Sequence, residues 1–353
     1  MRRRPFARDE PSTLGRRAAL AGAFSLACAG APAAPPPPKP LPPRYSGQLQ
    51  DYVPAAGLRW LVTGSPAKLA ESQSFRPALQ RLFSTERLRA VAQTTGFALE
   101  TLPRGIIAGF DLGTLYLAEL PGATANIARE RFAARQIHAP TKRSSDPAII
   151  LLSGMSEGIP VGLLTIDERV VIYGVGDPTL WRVAEAYALG KLHAKRAFQG
   201  AALAGQSDES EGALLAAHVP GPFGERWQHA AAGLLEITTS VSARLDPSGP
   251  ERATCQLVLH GDFGDSNAIE RLRSTYMSVA SSSTGTLLGM GGALDARVTL
   301  NSTNDRLTIT VPLPITQVID GVRAATSADL EEVLRLSPKS ESPLPPTSTP
   351  DPR

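Results

Sequence analysis

The chain has 353 residues, of which 42% are apolar, so it is long and apolar enough to bury a sizeable core, and global disorder is excluded. Aromatic residues make up only 5%, which argues against a surface of stacked rings for single-stranded nucleic acid. The formal net charge is +3, but six arginines lie before Cys28, and the chain beyond it has 30 basic and 31 acidic residues. We therefore expect no nucleic-acid partner.

The N-terminus has the pattern of an export signal. Residues 1–17 are basic, and Ala18 to Ala27 form an apolar segment of ten residues. This segment is too short to span a bilayer of about 30 Å as a helix, whereas its length is typical of the apolar region of a signal peptide.

The end of this segment, Ala27-Cys28, resembles the bacterial lipoprotein signal, in which a small residue precedes a cysteine that is acylated on its sulfur. The resemblance implies that residues 1–28 are an export signal ending at a lipidated Cys28. The protein would then be anchored to a bacterial membrane, with its body in the periplasm or at the cell surface. Ala29 is compatible with passage to the outer membrane. Cleavage by an ordinary signal peptidase after Ala29 is the alternative, and it would discard the cysteine.

The arginine pair Arg16-Arg17, placed before a weakly hydrophobic and alanine-rich segment, is similar to the export motif of a twin-arginine leader. Both the twin-arginine route and the general secretory route remain open.

The rest of the chain divides by composition. Eight prolines crowd into residues 32–43, which favours an extended polyproline spacer. A polar acidic run from Gln206 to Gly212 separates two regions with apolar periodicity. We expect a proline-rich disordered spacer at 29–44, a first α+β half at 45–205, an acidic linker at 206–212, a second α+β half at 213–336 and a disordered tail at 337–353.

Two segments suggest an internal repeat. Residues 122–131 and 264–273 share Gly, Ile, Arg and Arg at identical spacing, and each follows a strand-like run and begins a helix. Each is then followed by a strand, a polar turn, a strand and a helix that starts near a proline. We predict an α+β fold with a largely antiparallel sheet, helices on one face, and two repeated β-α-β-β-α units.

The repeat makes specific predictions about four side chains. Ile127 and Ile269 should be buried in equivalent positions beneath the two helices. Arg129 and Arg271 should lie on the solvent faces of the same helices.

Gly154 to Gly158 matches the G-x-S-x-G pattern of a hydrolase nucleophile, and Ser156, Asp167 and His193 follow in the chain order of a hydrolase triad. Such a serine needs a helix directly after it, but Pro160 and a strand-like run follow instead. A hairpin turn explains the pattern better, so a serine hydrolase using Ser156 is kept only as an alternative.

Other chemistry has little support. The five histidines show no HxH or HExxH spacing, and Cys255, the second cysteine of the chain, lies in an apolar run typical of a buried thiol. We expect no catalytic residue, no metal and no cofactor.

The sequence therefore predicts an exported lipoprotein with a non-catalytic binding or scaffolding role in the cell envelope. Its partners would be the membrane, through the lipid anchor, and an envelope protein or ligand. Two alternatives remain, the serine hydrolase and a periplasmic small-ligand binder with a cleft between the two halves.

Overall fold

The structure is a computed structural model, and all the residues it describes belong to one unit that begins at Pro43. Cys28, Arg16, Arg17, the spacer and the C-terminal tail lie outside the described residues. The description covers 48–316 and 319, apart from 83, 201, 208–211, 226–232, 265–266 and 282–297.

Twelve strands are defined in the described part of the chain. They are β1 (Leu58–Gly64), β2 (Arg104–Phe110), β3 (Gly113–Glu119), β4 (Thr141–Asp146), β5 (Ile149–Ser156), β6 (Ile159–Ile166), β7 (Val170–Gly176), β8 (Leu215–Pro220), β9 (Thr238–Pro247), β10 (Arg252–Gly261), β11 (Thr299–Ser302) and β12 (Arg306–Pro314).

The α-helices are fewer and mostly short. They are α1 (Pro66–Glu71), α2 (Arg76–Leu82), α3 (Thr85–Thr95), α4 (Ala125–Ala134), α5 (Thr179–Ala188) and α6 (Ala268–Ala280). None of these described helices combines the length and apolar character that a membrane span requires.

All twelve strands join one sheet, in the order β11-β12-β10-β9-β8-β1-β2-β3-β7-β6-β5-β4. Every neighbouring pair is antiparallel, which confirms the predicted α+β class with a largely antiparallel sheet. The two regions that were separated by composition meet where β1 pairs with β8, so they share a single continuous sheet.

Helix α5 covers one face of this sheet. Its Trp181 is almost fully buried against two glycines that pair with each other across β6 and β7, Gly162 and Gly174. A Cβ on either glycine would come within about 2.5 Å of the indole, so these small residues make the space that the large ring fills.

Helix α4 covers the opposite face, where Ala128 and Phe132 pack with Leu163 and Val171. The prediction of helices on one face only is therefore wrong. The physical reason lies in strands such as β6, whose last six residues, 161–166, are all buried. A strand that is apolar on both sides needs cover on both sides.

Helix α6 lies on the same face as α4. Residues paired directly across antiparallel strands point to the same side of a sheet, so a row of such pairs can be followed from one half to the other. One such row starts on the sheet face beneath α4 and ends in the core beneath α6, so both helices cover the same face. The residues of this row are Tyr173, Tyr116, Ile107, Val62, Ala217, Ala243, Leu257 and Ile309.

Two finer expectations are also corrected. Ile127 is 37% exposed, and its methyl group packs beside Gly96 at the end of α3, while Ala128 and Phe132 face the sheet. Ile269 is half-buried. The two isoleucines therefore do not occupy equivalent buried positions.

Gln206, the first residue of the expected acidic linker, is buried and donates a hydrogen bond of 2.6 Å to the Ser240 hydroxyl on β9. Gln206 therefore packs as part of the fold.

Candidate functional site

A cavity of about 880 Å³ lies between the sheet and the helices α1–α4. Its floor is a row of directly paired residues on five neighbouring strands: Val62, Ile107, Tyr116, Tyr173 and Leu163. Ile107 is 38% exposed and Tyr116 44% exposed, although both lie in the middle strands of a large sheet. These side chains therefore face open space where a packed core would normally be.

The cavity is elongated across the strands. Its lining extends from Leu215 on β8 to Leu163 on β6, which are separated by β1, β2, β3 and β7. Five inter-strand spacings make this span about 24 Å. The shape suits an extended ligand better than a compact one.

The roof consists of short helices with apolar side chains turned toward the same space. Leu69, Leu79, Leu88 and Phe97 line the cavity, and each is only partly buried. Neither α1 nor α3 has a single buried side chain. Phe97 also packs against the core cluster that contains Leu163, and Leu69 packs against the cluster that contains Phe75, so these side chains are partly packed and partly turned to the cavity.

Local sequence features position the roof. Pro66 occupies the first turn of α1, where its missing N–H costs nothing, and the preceding Ser65 donates its hydroxyl to the Pro103 carbonyl at 2.7 Å. Ser84 caps α3 by accepting from the Arg87 backbone N–H, and Gly96 ends α3 in the left-handed conformation, φ 86°.

Phe75 fixes the turn between α1 and α2. It is buried in a cluster with Leu214, Ala253 and Ile315, which belong to the second half of the chain. This large apolar side chain therefore anchors the turn between α1 and α2 to the second half of the chain.

Two tyrosines and an arginine belong to the lining of the cavity. The rings of Tyr116 and Tyr173 lie 6.2 Å apart, and Arg135, at the end of α4, lines the same cavity. Burial raises the pKa of the Tyr173 hydroxyl, and the positive charge of Arg135 acts against that rise. Because the net shift is upward, the phenol stays protonated at neutral pH and can donate a hydrogen bond.

The residues of the hydrolase alternative are not brought together. Ser156 ends β5 and pairs with Ile159 across a two-residue turn, so no helix follows it. Asp167 lies just past the far end of β6, about 27 Å away at the rise of an antiparallel strand. A triad of Ser156, Asp167 and His193 is therefore not formed.

Neither a metal centre nor an activated thiol emerges from the described residues. Among them, no three His, Cys, Asp or Glu side chains are grouped as metal ligands. Burial raises the pKa of the Cys255 thiol, which favours the unreactive neutral form.

The cavity is not where the sequence placed a cleft. The ligand-binding alternative expected a cleft between the two halves, but most of the lining comes from 62–175, within the first half. No helix was predicted from the sequence in 66–102, the segment that forms the roof of the cavity. The spacing of Leu88, Val91 and Thr95, between the cap Ser84 and the terminator Gly96, is the signal that could have revealed α3.

Comparisons with known proteins place the chain in no family. No family model matches it, and no curated protein matches it significantly. Two crystal forms of a protein designated TP0453 align over 81% and 78% of this chain and over 99% and 96% of their own. Their TM-scores are 0.46 and 0.44, with 10% identity in both cases. A likeness at this level assigns neither a family nor a function.

Proposed function

We propose that this protein is a non-catalytic binding protein of the cell envelope that holds an elongated apolar ligand in the cavity beneath α1–α4. The observation that carries the proposal is the cavity itself, about 880 Å³ with a predominantly apolar lining. This volume lies within the range of pockets that enclose small-molecule ligands.

A cavity of this size leaves a large apolar surface unburied. Large contiguous apolar surfaces are uncommon on the outside of proteins and mark sites of binding. Here Ile107 and Tyr116 stay exposed beneath a roof with apolar side chains of its own. A bound aliphatic chain would satisfy both surfaces at once.

The leader gives this proposal a cellular setting. We propose that residues 1–28 direct export, that Cys28 is acylated, and that the proline-rich segment 29–44 connects the anchor to the body. An anchored binding protein works beside a membrane, where molecules with long acyl chains are the most abundant apolar ligands.

We also propose that the fold contains a duplicated β-α-β-β-α unit. The strand order β1-β2-β3-β7-β6 corresponds to β8-β9-β10-β12-β11, with α4 and α6 at matching points on the same face. The first copy would then carry β4 and β5 as an additional hairpin. In a crystal structure, each strand and helix of one copy should overlie its counterpart.

Filling the cavity tests the binding proposal. The full chain carrying Cys28→Ser, which has no acyl group of its own to compete, is titrated with the neutral apolar dye N-phenyl-1-naphthylamine. We expect saturable enhancement of fluorescence. Ile107→Trp places a larger ring on the floor, where space is open, and should weaken dye binding by about tenfold or more.

The matched control is Ile159→Trp, which adds the same ring at an exposed isoleucine outside the cavity. It should bind the dye as the parent chain does. Equal binding by both tryptophan variants, or no saturable binding by the parent, would contradict the proposal.

A further inference from the structure

We infer that the ligand is an amphiphile with an anionic headgroup, and that Arg135, Tyr173 and Tyr116 hold this headgroup at one end of the cavity. The inference rests on the proposed function, because it specifies the chemistry of the ligand for the same site.

The two tyrosines supply donors from the floor. Tyr116 on β3 and Tyr173 on β7 are directly paired, so their rings lie side by side on the cavity face. Within the part of the chain that the structure describes, neither hydroxyl has a hydrogen-bond partner. Two phenols on an otherwise apolar floor can therefore donate to a ligand.

Arg135 supplies the charge. It follows α4 directly, it is exposed, and it lines the cavity, so it lies where the cavity meets solvent. Its Nε makes a long hydrogen bond of 3.4 Å to the Arg131 carbonyl, and no carboxylate of the described residues is within ion-pair distance. The guanidinium is close enough to Tyr173 for its charge to act on the phenol.

The balance of charge around the cavity favours an anion. Arg76 also lines it, with its Nε bonded to the Ala70 carbonyl, and Glu100 is the acidic residue of the lining. Two guanidinium groups against one carboxylate leave the lining positive. A guanidinium binds a carboxylate or phosphate through paired hydrogen bonds, and tyrosine hydroxyls can complete the set of donors.

Displacement of the neutral dye by matched chains tests the inference. Dodecanoate and 1-dodecanol share one aliphatic chain and differ in headgroup, and each is titrated below its aggregation limit into the dye-loaded Cys28→Ser chain. We expect dodecanoate to displace the dye at a concentration about tenfold lower than dodecanol. Dodecyl phosphate should behave as dodecanoate does, since the shared chemistry is the anion.

Arg135→Gln should abolish the preference for dodecanoate, measured within this variant as the ratio of the dodecanoate and dodecanol concentrations that displace half of the dye. Arg131→Gln, one turn earlier on α4 and exposed, should retain it. Tyr173→Phe should reduce the preference for dodecanoate over dodecanol.

If dodecanoate and dodecanol displace the dye equally in the parent chain, the headgroup inference fails and the proposed function stands. If the parent chain does not bind the dye at all, the proposed function itself fails.

Discussion

Arg129 shows how a charged helical residue can belong to the fold. The sequence placed it on the solvent face of its helix, but only 18% of its side chain is exposed. Its Nη1 donates to the Thr165 hydroxyl at 2.9 Å, and its Nη2 lies 2.6 Å from Glu168 Oε1. The expectation that Arg129 lies on the solvent face of its helix is therefore wrong, because its side chain points toward the sheet and contacts the end of β6 and the turn after it.

Replacing Arg129 should lower stability. Arg129→Ala leaves the buried Thr165 hydroxyl and the Glu168 carboxylate without their donor, and we expect a loss of about 1–2 kcal/mol in the free energy of unfolding. Arg131→Ala, on the same helix and exposed, should cost less than about 0.5 kcal/mol. Urea denaturation of both variants measures the difference. Equal small losses would show that the contacts of Arg129 contribute little.

The floor residues show what an alternating pattern cannot reveal. Tyr116 and Leu115 are neighbours in the same apolar run, yet Leu115 is fully buried and Tyr116 is 44% exposed. Alternation assigns residues to two faces, but whether a face is packed or open depends on the elements above it. The cavity therefore could not be predicted from the floor strands alone.

At the scale of elements, strands with an apolar or alternating run were predictable. The strand-like runs of the two predicted units became β3, β6 and β7 in the first half and β10, β11 and β12 in the second. Strand β2 was missed because Gly105 and Gly109 interrupt it, and Gly109 is needed because the indole of Trp60 lies over it. Strand β4 is polar throughout, as suits an edge strand, and a polar run without apolar alternation gives no strand signal.

The roof helices were missed for a related reason. Each is short, and α1 and α3 have no fully buried side chain. Helices α5 and α6 bury several apolar side chains each, whereas α3 has few apolar residues among many polar ones. A helix of this composition gives a weak sequence signal.

Hydrogen exchange should separate the roof from the rest of the fold. Helices α3 and α4 are similar in length, but α4 buries Ala125, Ala128 and Phe132, whereas α3 buries no side chain. We expect amides of α3 to exchange at least about tenfold faster than those of α4, because local opening exposes little additional apolar surface.

Mass spectrometry of exchange-quenched peptides measures both helices in one sample. Addition of the apolar dye should slow α3 and leave α4 nearly unchanged. Protection of α3 equal to that of α4 in the ligand-free chain would contradict a loosely held roof.

At the scale of the molecule, one sheet carries two different surfaces. The face with α4 and α6 also carries α1–α3 and the cavity, while α5 closes part of the opposite face. The class and most strands could be predicted from local patterns. The continuous sheet through β1 and β8 could not, because pairing between distant strands leaves no local signal.

The mature N-terminus tests the cellular setting. We expect a chain that begins at an acylated Cys28 and fractionates with membranes, because a small residue precedes this cysteine at the end of the apolar segment. Intact mass and sequencing of the N-terminal peptide measure it, and Cys28→Ser should abolish membrane association. A chain that starts at Gly30 and occurs in the soluble fraction would contradict the lipid anchor.

The most direct test of the central claim is chemical analysis of what the purified protein carries. The Cys28→Ser chain is purified from the periplasm without detergent and extracted with organic solvent, and acyl chains are quantified per mole of protein. A ligand held in a cavity of about 880 Å³ predicts about one ligand equivalent, absent from Ile107→Trp and retained in Ile159→Trp. Recovery of no acyl chains, or of equal amounts from both tryptophan variants, would contradict the account.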